Sequence, residues 1–242
     1  MKTIIIDDER LARQELKNML IPFDEIEVIG EAANADEAIE MIQQSNPDLI
    51  FLDVQMPGKD GFEMLQELNS VPTVVFVTAY DEYALKAFEV NAMDYLVKPV
   101  QPERLKESIR KLLEEFDKKS RTKTGKIARN NLTGEDQVFV KDGDKCWFVK
   151  LSDIRMFESD GNYVKVYFHN FRPLIHKSLN ALEEKLDGNE FFRASRKYII
   201  NLKWVENIES WFNGGLMVHL KGGDKLEISR RQAVKFKEMM SL

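Results

Sequence analysis

Five short apolar runs, Thr3–Ile6, Glu27–Gly30, Leu49–Leu52, Val74–Val77 and Tyr95–Val97, alternate with amphipathic stretches through the first half of the chain. Strands buried on both faces read as continuous apolar runs, and amphipathic segments between them supply the covering layers, so the pattern predicts a parallel sheet wrapped by helices. The spacing predicts helices over Glu9–Leu20 and Ala35–Gln44, where apolar residues recur every three or four positions. Another is predicted from Pro102, a favoured first-turn residue, with Leu105, Ile109, Leu112 and Phe116 on one face. Five strands and five helices, an α/β doubly wound five-stranded parallel sheet, account for residues 1–117.

The period then changes. Residues 118–137 are rich in Lys, Arg, Asn, Thr and Gly and poor in large apolar residues, which predicts a linker. From 138 onward the period is two: Val138 and Val140, then Trp147 and Val149, flank the turn-forming Asp142-Gly143-Asp144, and Val164, Val166 and Phe168 alternate with more polar neighbours. Further strands are predicted at Tyr198–Ile200, Leu216–Leu220 and Leu226–Ile228. Leu179, Leu182 and Leu186 recur at helical spacing, and a second helix is predicted from Arg231. Residues 138–242 thus form a mostly β domain.

With 43% hydrophobic residues in 242, the chain can bury a sizeable core, which excludes long disorder and collagen. No stretch approaches the ~18 apolar residues of a membrane span, and the start, MKTIIIDDE, lacks the long apolar run of a signal peptide, so a cytoplasmic protein without membrane contact is expected. Cys146 is the one cysteine and reads as structural. Charge is divided unevenly. Residues 1–116 carry 11 basic and 24 acidic side chains (−13), residues 117–137 carry 6 and 3 (+3), and residues 138–242 carry 18 and 14 (+4). An acidic head suits a cation or a basic surface, and the mildly basic tail is compatible with a polyanion.

Three carboxylates fall at the carboxyl ends of predicted strands: Asp7 and Asp8 after the first, Asp53 after LIFL. In a doubly wound sheet those ends converge on the edge where such folds bind ligands, and Thr78 and Lys98 follow two other strands onto the same edge. Clustered carboxylates repel one another unless a cation intervenes, and hard oxygen ligands suit Mg²⁺, which bridges to phosphate oxygens. Asp53 would then be a nucleophile forming an aspartyl phosphate, with Lys98 and the Thr78 hydroxyl neutralising charge. Taken singly, Asp7 or Asp8 could equally cap the following helix.

The joint pattern, DDE after strand one, DVQMPGKDG after strand three, VTA after strand four and YLVKP after strand five, resembles the receiver domain of two-component response regulators over residues 1–117. The resemblance implies that Asp53 accepts phosphate from a sensor histidine kinase, and that Asp7, Asp8, Asp53 and the Gln55 backbone carbonyl hold Mg²⁺. It implies further that Lys98 pairs with the phosphoryl group, that Lys98-Pro99 is cis, and that Thr78 and Tyr95 are the switch pair. Gln55 and Tyr80 flank the path of the hydrolytic water in this family, and Tyr80 could shield the phosphoryl group.

The second half resembles the LytTR DNA-binding domain through MFESDGNYVKVY, LNALEEKL, FFRASRKYIINL and LEISRR, departing at Ser195, where the family often has His. The resemblance implies that Asn162, Tyr163, Asn201, Arg230 and Arg231 face DNA, with Arg196, Lys197 and Lys203 touching phosphates. Asn can read adenine and Arg guanine in the major groove, although each of these positions also fits a solvent-exposed surface. Trp147, Phe157 and Phe192 read as core, and His169, His176 and His219 show no metal-ligand spacing.

The expected function is a phosphorylation-dependent transcription regulator, not an enzyme beyond its own phosphorylation and dephosphorylation. It would bind double-stranded promoter DNA at paired half-sites as a homodimer formed on phosphorylation. A receiver-controlled β module that binds protein rather than DNA remains the alternative at this stage.

Overall fold

A computed structural model describes residues 1–79, 93–120, 131–143 and 145–240, side chains of 117–120 apart. The chain forms two compact units, Met1–Ala128 and, apart from Lys145–Phe148, Arg129–Leu242.

In the first unit, strands β1 (Lys2–Ile6), β2 (Glu27–Ala32), β3 (Leu49–Leu52), β4 (Thr73–Thr78) and β5 (Asp94–Val97) form one sheet of order β2-β1-β3-β4-β5. Every pairing is parallel. Helices α1 (Arg10–Leu20), α2 (Ala35–Ser45), α3 (Gly61–Glu67) and α4 (Pro102–Ser120) connect and cover it. Helix α2 starts at Ala35 because the Asn34 side chain accepts the Glu37 amide at 2.9 Å, and α3 starts with a capping box between Asp60 and Glu63. Phe51, Val75 and Leu96 from the sheet pack with Leu16 and Leu20 of α1 and Leu105, Ile109 and Leu112 of α4. Of the five helices expected, four stand among the described residues, and residues 80–92 lie outside them.

Strand β6 (Gln137–Asp142) pairs with β7 (Lys145–Lys150), and the strands that follow lie in the second unit. Strands β8 (Ile154–Asp160), β9 (Tyr163–Phe168), β10 (Leu174–Ile175), β11 (Phe191–Arg193) and β12 (Tyr198–Asn201) form an antiparallel sheet of order β10-β9-β8-β12-β11. Strands β13 (Val205–Ser210), β14 (Leu216–Leu220) and β15 (Lys225–Ile228) form a second sheet. Phe236 of the closing helix, Arg230–Met240, packs with Ile200, Val218 and Ile228. Val164, Val166 and Phe168 are all buried, as their alternation requires.

Two expectations need correction. The helix carrying Leu179 ends at Glu183, so Leu186 is buried from the turn beyond it. The described end of the expected linker, residues 131–137, belongs to the second unit: the Leu132 amide donates to Lys185 O at 2.7 Å, Leu132 O accepts from Asp187 N at 2.8 Å, and Leu151 N donates to Asp136 O at 2.9 Å. Backbone hydrogen bonds fix this segment, which is why its side-chain composition gave no sign of it. Among the described residues no helix is long and apolar enough to cross a membrane.

Candidate functional site

The carboxyl ends of β1, β3, β4 and β5 open onto a cleft of about 920 Å³ lined by Asp7, Asp8, Asp53, Gln55, Thr78 and Lys98 among others. Parallel pairing delivers these residues to one edge because each stands at or just past its strand end. The Asp53 amide donates to Ile6 O at 2.8 Å and the Lys98 amide to Thr78 O at 2.9 Å, so the sheet's hydrogen bonding extends one step into the site.

Lys98 Nζ lies 2.6 Å from Asp53 Oδ2 and 2.7 Å from Asp7 Oδ2. The other oxygens of both carboxylates accept backbone amides, Asp7 Oδ1 from Glu9 at 2.9 Å and Asp53 Oδ1 from Gln55 at 3.1 Å. Burial pushes the Asp7 carboxyl above its ordinary value, against the hydrogen bonds from Lys98 and the Glu9 amide. Burial also opposes the Lys98 charge, but the hydrogen bonds to Asp53 and Asp7 outweigh it and hold the ammonium above its ordinary value. Asp8 is exposed at the cleft mouth, and oxygens of Asp7, Asp8 and Asp53 all lie within 4.8 Å of one another. Among the described residues this cluster of three carboxylates has one lysine ammonium, that of Lys98, paired to two of them, a hard-oxygen set that fits Mg²⁺.

Thr78 Oγ1 is buried without a hydrogen-bond partner among the described residues. The Tyr95 side chain is buried, with its ring 6.5 Å from that of Phe76 on β4. The Lys98-Pro99 peptide is cis. A Cβ on Gly61 would stand 2.6 Å from Asp53 O, so the loop after Asp53 closes back onto its own start only because position 61 is glycine. Tyr80 lies outside the described residues.

In the second unit the expected DNA-facing residues separate into two groups. Gly161 (φ 61°) and Asn162 form the two-residue turn between β8 and β9, with Tyr163 paired to Asp160 and 47% exposed. Beside this turn, Ser159 N donates to Lys197 O at 2.8 Å. Arg193 braces the 193–196 turn from inside, its Nε donating to Ser195 O at 2.6 Å and Nη2 to Arg196 O at 3.0 Å, while the Arg196 side chain is exposed. Gln232 Nε2 donates to Arg193 O at 2.8 Å, tying that turn to the helix whose start carries the exposed Arg230 and Arg231.

Lys203 and Asn201 stand apart, at the far end of β12, three strand steps or about 10 Å beyond Tyr198. Lys203 pairs with Glu190 at 3.0 Å. Asn201 is fully buried: its amide nitrogen donates to Ile154 O at 2.9 Å and Leu151 O at 3.3 Å, and its oxygen accepts from Lys203 N at 3.0 Å. The expectation that Asn201 reads a base is corrected on that ground. Its donors and acceptor already brace the 151–154 and 201–203 turns, and none of its surface reaches solvent.

A family model described as "Response regulator receiver domain" matches residues 3–110, and one described as "LytTr DNA-binding domain" matches residues 144–241. The chain belongs to the response regulators with a LytTR domain. An "Uncharacterized response regulatory protein" of Vibrio cholerae is 38% identical over 242 residues, spanning 99% of this chain and 98% of the relative. "Sensory transduction protein LytT" of Bacillus subtilis (strain 168) and "Transcriptional regulatory protein LytR" of Staphylococcus aureus (strain N315) are 32% and 33% identical, each covering both chains in full.

Two features of this response regulator escaped sequence reasoning. Glu158 accepts hydrogen bonds from Tyr167 and from Tyr198 (3.2 Å) and pairs with Lys197 at 2.8 Å, pinning the turn that carries Arg196. Lys197, expected to meet phosphate, is thus held by a carboxylate in the free protein. The second feature is an exposed aromatic pair, Trp211 and Phe212.

Proposed function

We propose that this response regulator carries a phosphoryl signal from a sensor histidine kinase to double-stranded promoter DNA. The observation that carries the reading is the Lys98 ammonium set between Asp53 and Asp7 in the cleft that Thr78 also lines, its buried hydroxyl without a partner among the described residues. An Asp53 carboxylate oxygen bonds to phosphorus as the bond from phosphorus to the kinase imidazole nitrogen breaks, the nitrogen keeping the electron pair. Asp7, Asp8, Asp53 and the Gln55 backbone carbonyl are the residues that would hold Mg²⁺. When bound it supplies positive charge that offsets the charge of the phosphoryl oxygens.

The protein's own groups then rearrange. Lys98 transfers its ammonium from the carboxylates to a phosphoryl oxygen, and the Thr78 hydroxyl donates to another, gaining the partner it lacks. The space Thr78 leaves is filled by the Tyr95 ring, and the two arrangements form a population shift set by phosphorylation. Phosphorylated receivers pair through the face carrying β5 and the Pro102–Ser120 helix, which places two DNA-binding units at high effective concentration over paired half-sites. On DNA, Arg196, Arg230 and Arg231 together with Asn162 and Tyr163 form the contact surface, Lys197 joins it on release from Glu158, and Lys203 reaches flanking phosphate.

The test is incorporation of labelled phosphate from acetyl phosphate by the full chain, followed by mapping of the labelled residue. Label on Asp53 that disappears with a magnesium chelator is the expected result, and label elsewhere would refute the site.

A further inference from the structure

Phe212 is 74% exposed and Trp211 36%, and their rings meet edge to face with centroids 5.0 Å apart. The turn that carries them is built to hold them outward. Trp211 N donates to Gly215 O at 2.9 Å and Gly215 N donates to Phe212 O at 3.0 Å, while Asn213 (φ 54°) and Gly214 (φ 78°) take left-handed conformations to close the loop. A Cβ on Gly215 would lie 2.8 Å from Ile228 O, so the turn rests directly on the end of β15. A Cβ on Gly214 would lie 3.4 Å from Arg230 Cδ and 3.5 Å from Cγ, so the Arg230 stem lies across the same turn. The two exposed rings and the Arg230 stem therefore meet at one turn, and the turn Trp211–Gly215 carries no acidic side chain.

We propose that this turn is an apolar DNA-contacting element. The Phe212 ring packs against deoxyribose and base edges in the groove flanking the bases that Arg230 faces, with Trp211 behind it as support. The inference rests on the DNA-binding reading above and extends it, because a contact of this kind adds affinity without neutralising a phosphate. Duplex DNA is the occupant the neighbours favour: the exposed Arg230 side chain crosses the turn that carries two exposed rings, the combination used where apolar side chains wedge beside a groove contact. Such a contact leaves the salt dependence of binding unchanged, because salt dependence counts neutralised phosphates.

The experiment uses the full chain and a duplex selected by that chain from a random-sequence pool, with affinity read by fluorescence anisotropy over a series of salt concentrations. Phe212→Ala should weaken binding by about tenfold at every salt concentration, the scale of one aromatic contact with a base, and leave the slope of log affinity against log salt unchanged. Phe212→Leu should recover part of the loss. Because Phe212 is exposed, its truncation opens no cavity, and an unchanged far-ultraviolet spectrum checks the fold. If Arg230→Ala weakens binding while Phe212→Ala and Trp211→Ala bind as the wild type does, the turn is not on DNA and the proposal fails although the DNA reading stands. A shallower salt slope in Phe212→Ala would also overturn it, since the ring would then act by positioning Arg230. If the wild-type chain selects no duplex at all, the underlying reading fails.

Discussion

Lys98 Nζ sits 2.6 Å from Asp53 Oδ2 and, through its other contact, joins Asp53 to Asp7. Replacing Asp53 by Asn keeps a hydrogen-bond acceptor for Lys98 and nearly the same volume while removing the nucleophile. The Asp53→Asn variant is expected to fold with a melting temperature near that of the wild type and to take up no phosphate from acetyl phosphate. Labelled Asp53→Asn protein would contradict the assignment.

Thr78 Oγ1 makes no hydrogen bond among the described residues, so deleting it removes none of the described bonds and takes away a buried polar group. Thr78→Ala is expected to change stability by less than about 1 kcal/mol in either direction. It should still accept phosphate at Asp53 but lose the phosphorylation-dependent gain in DNA affinity. Urea denaturation and anisotropy measure the two halves of this expectation, and a retained gain would remove Thr78 from the switch.

Asn201 offers the opposite case. Its side chain bonds two buried carbonyls and one part-buried amide inside the second unit, and Asn201→Ala removes all three bonds. A loss of about 2 kcal/mol in unfolding free energy is expected, the cost of buried polar groups left unpaired. Arg231→Ala should instead weaken DNA binding with stability unchanged. A wild-type denaturation midpoint in Asn201→Ala would contradict the bracing role.

Glu158 gives a pH dependence with a defined sign. Burial raises its pKa, but the hydrogen bonds from Lys197, Tyr167 and Tyr198 outweigh that and hold the carboxyl below its ordinary 4.5. A group whose pKa is depressed on folding adds stability above its unfolded value and loses it as pH falls through the folded value. Glu158→Gln should therefore be less stable than the wild type at neutral pH, with the gap closing as pH falls below 4.5. Denaturation midpoints across that range measure it, and a gap independent of pH would contradict the charged pairing.

The receiver site was legible because its residues stand at the ends of parallel strands, so chain order alone places Asp7, Asp53, Thr78 and Lys98 on one edge. The second unit was less so. Strand β13 (Val205–Ser210) has a burial pattern without alternation, leaving no period to read. Asn201 follows the strand YII as a surface loop residue would, and only the approach of Leu151 and Ile154, some 50 positions earlier, shows that it is interior. The described end of the expected linker gave no signal because main-chain bonds of Leu132, not apolar side chains, fix it. Trp211 and Phe212 drew no attention because exposure cannot be seen in an unfolded string of residues.

In the proposed function, phosphorylation of Asp53 governs DNA binding by pairing two chains. The most direct measurement compares full-chain affinity for duplexes carrying one or two half-sites, with and without beryllofluoride as a phosphoryl mimic, at fixed salt. The account predicts a gain of at least about tenfold, or about 1.4 kcal/mol, on the two-half-site duplex and almost none on the single half-site. Equal gains on both duplexes would contradict it and point to release of a block within one chain.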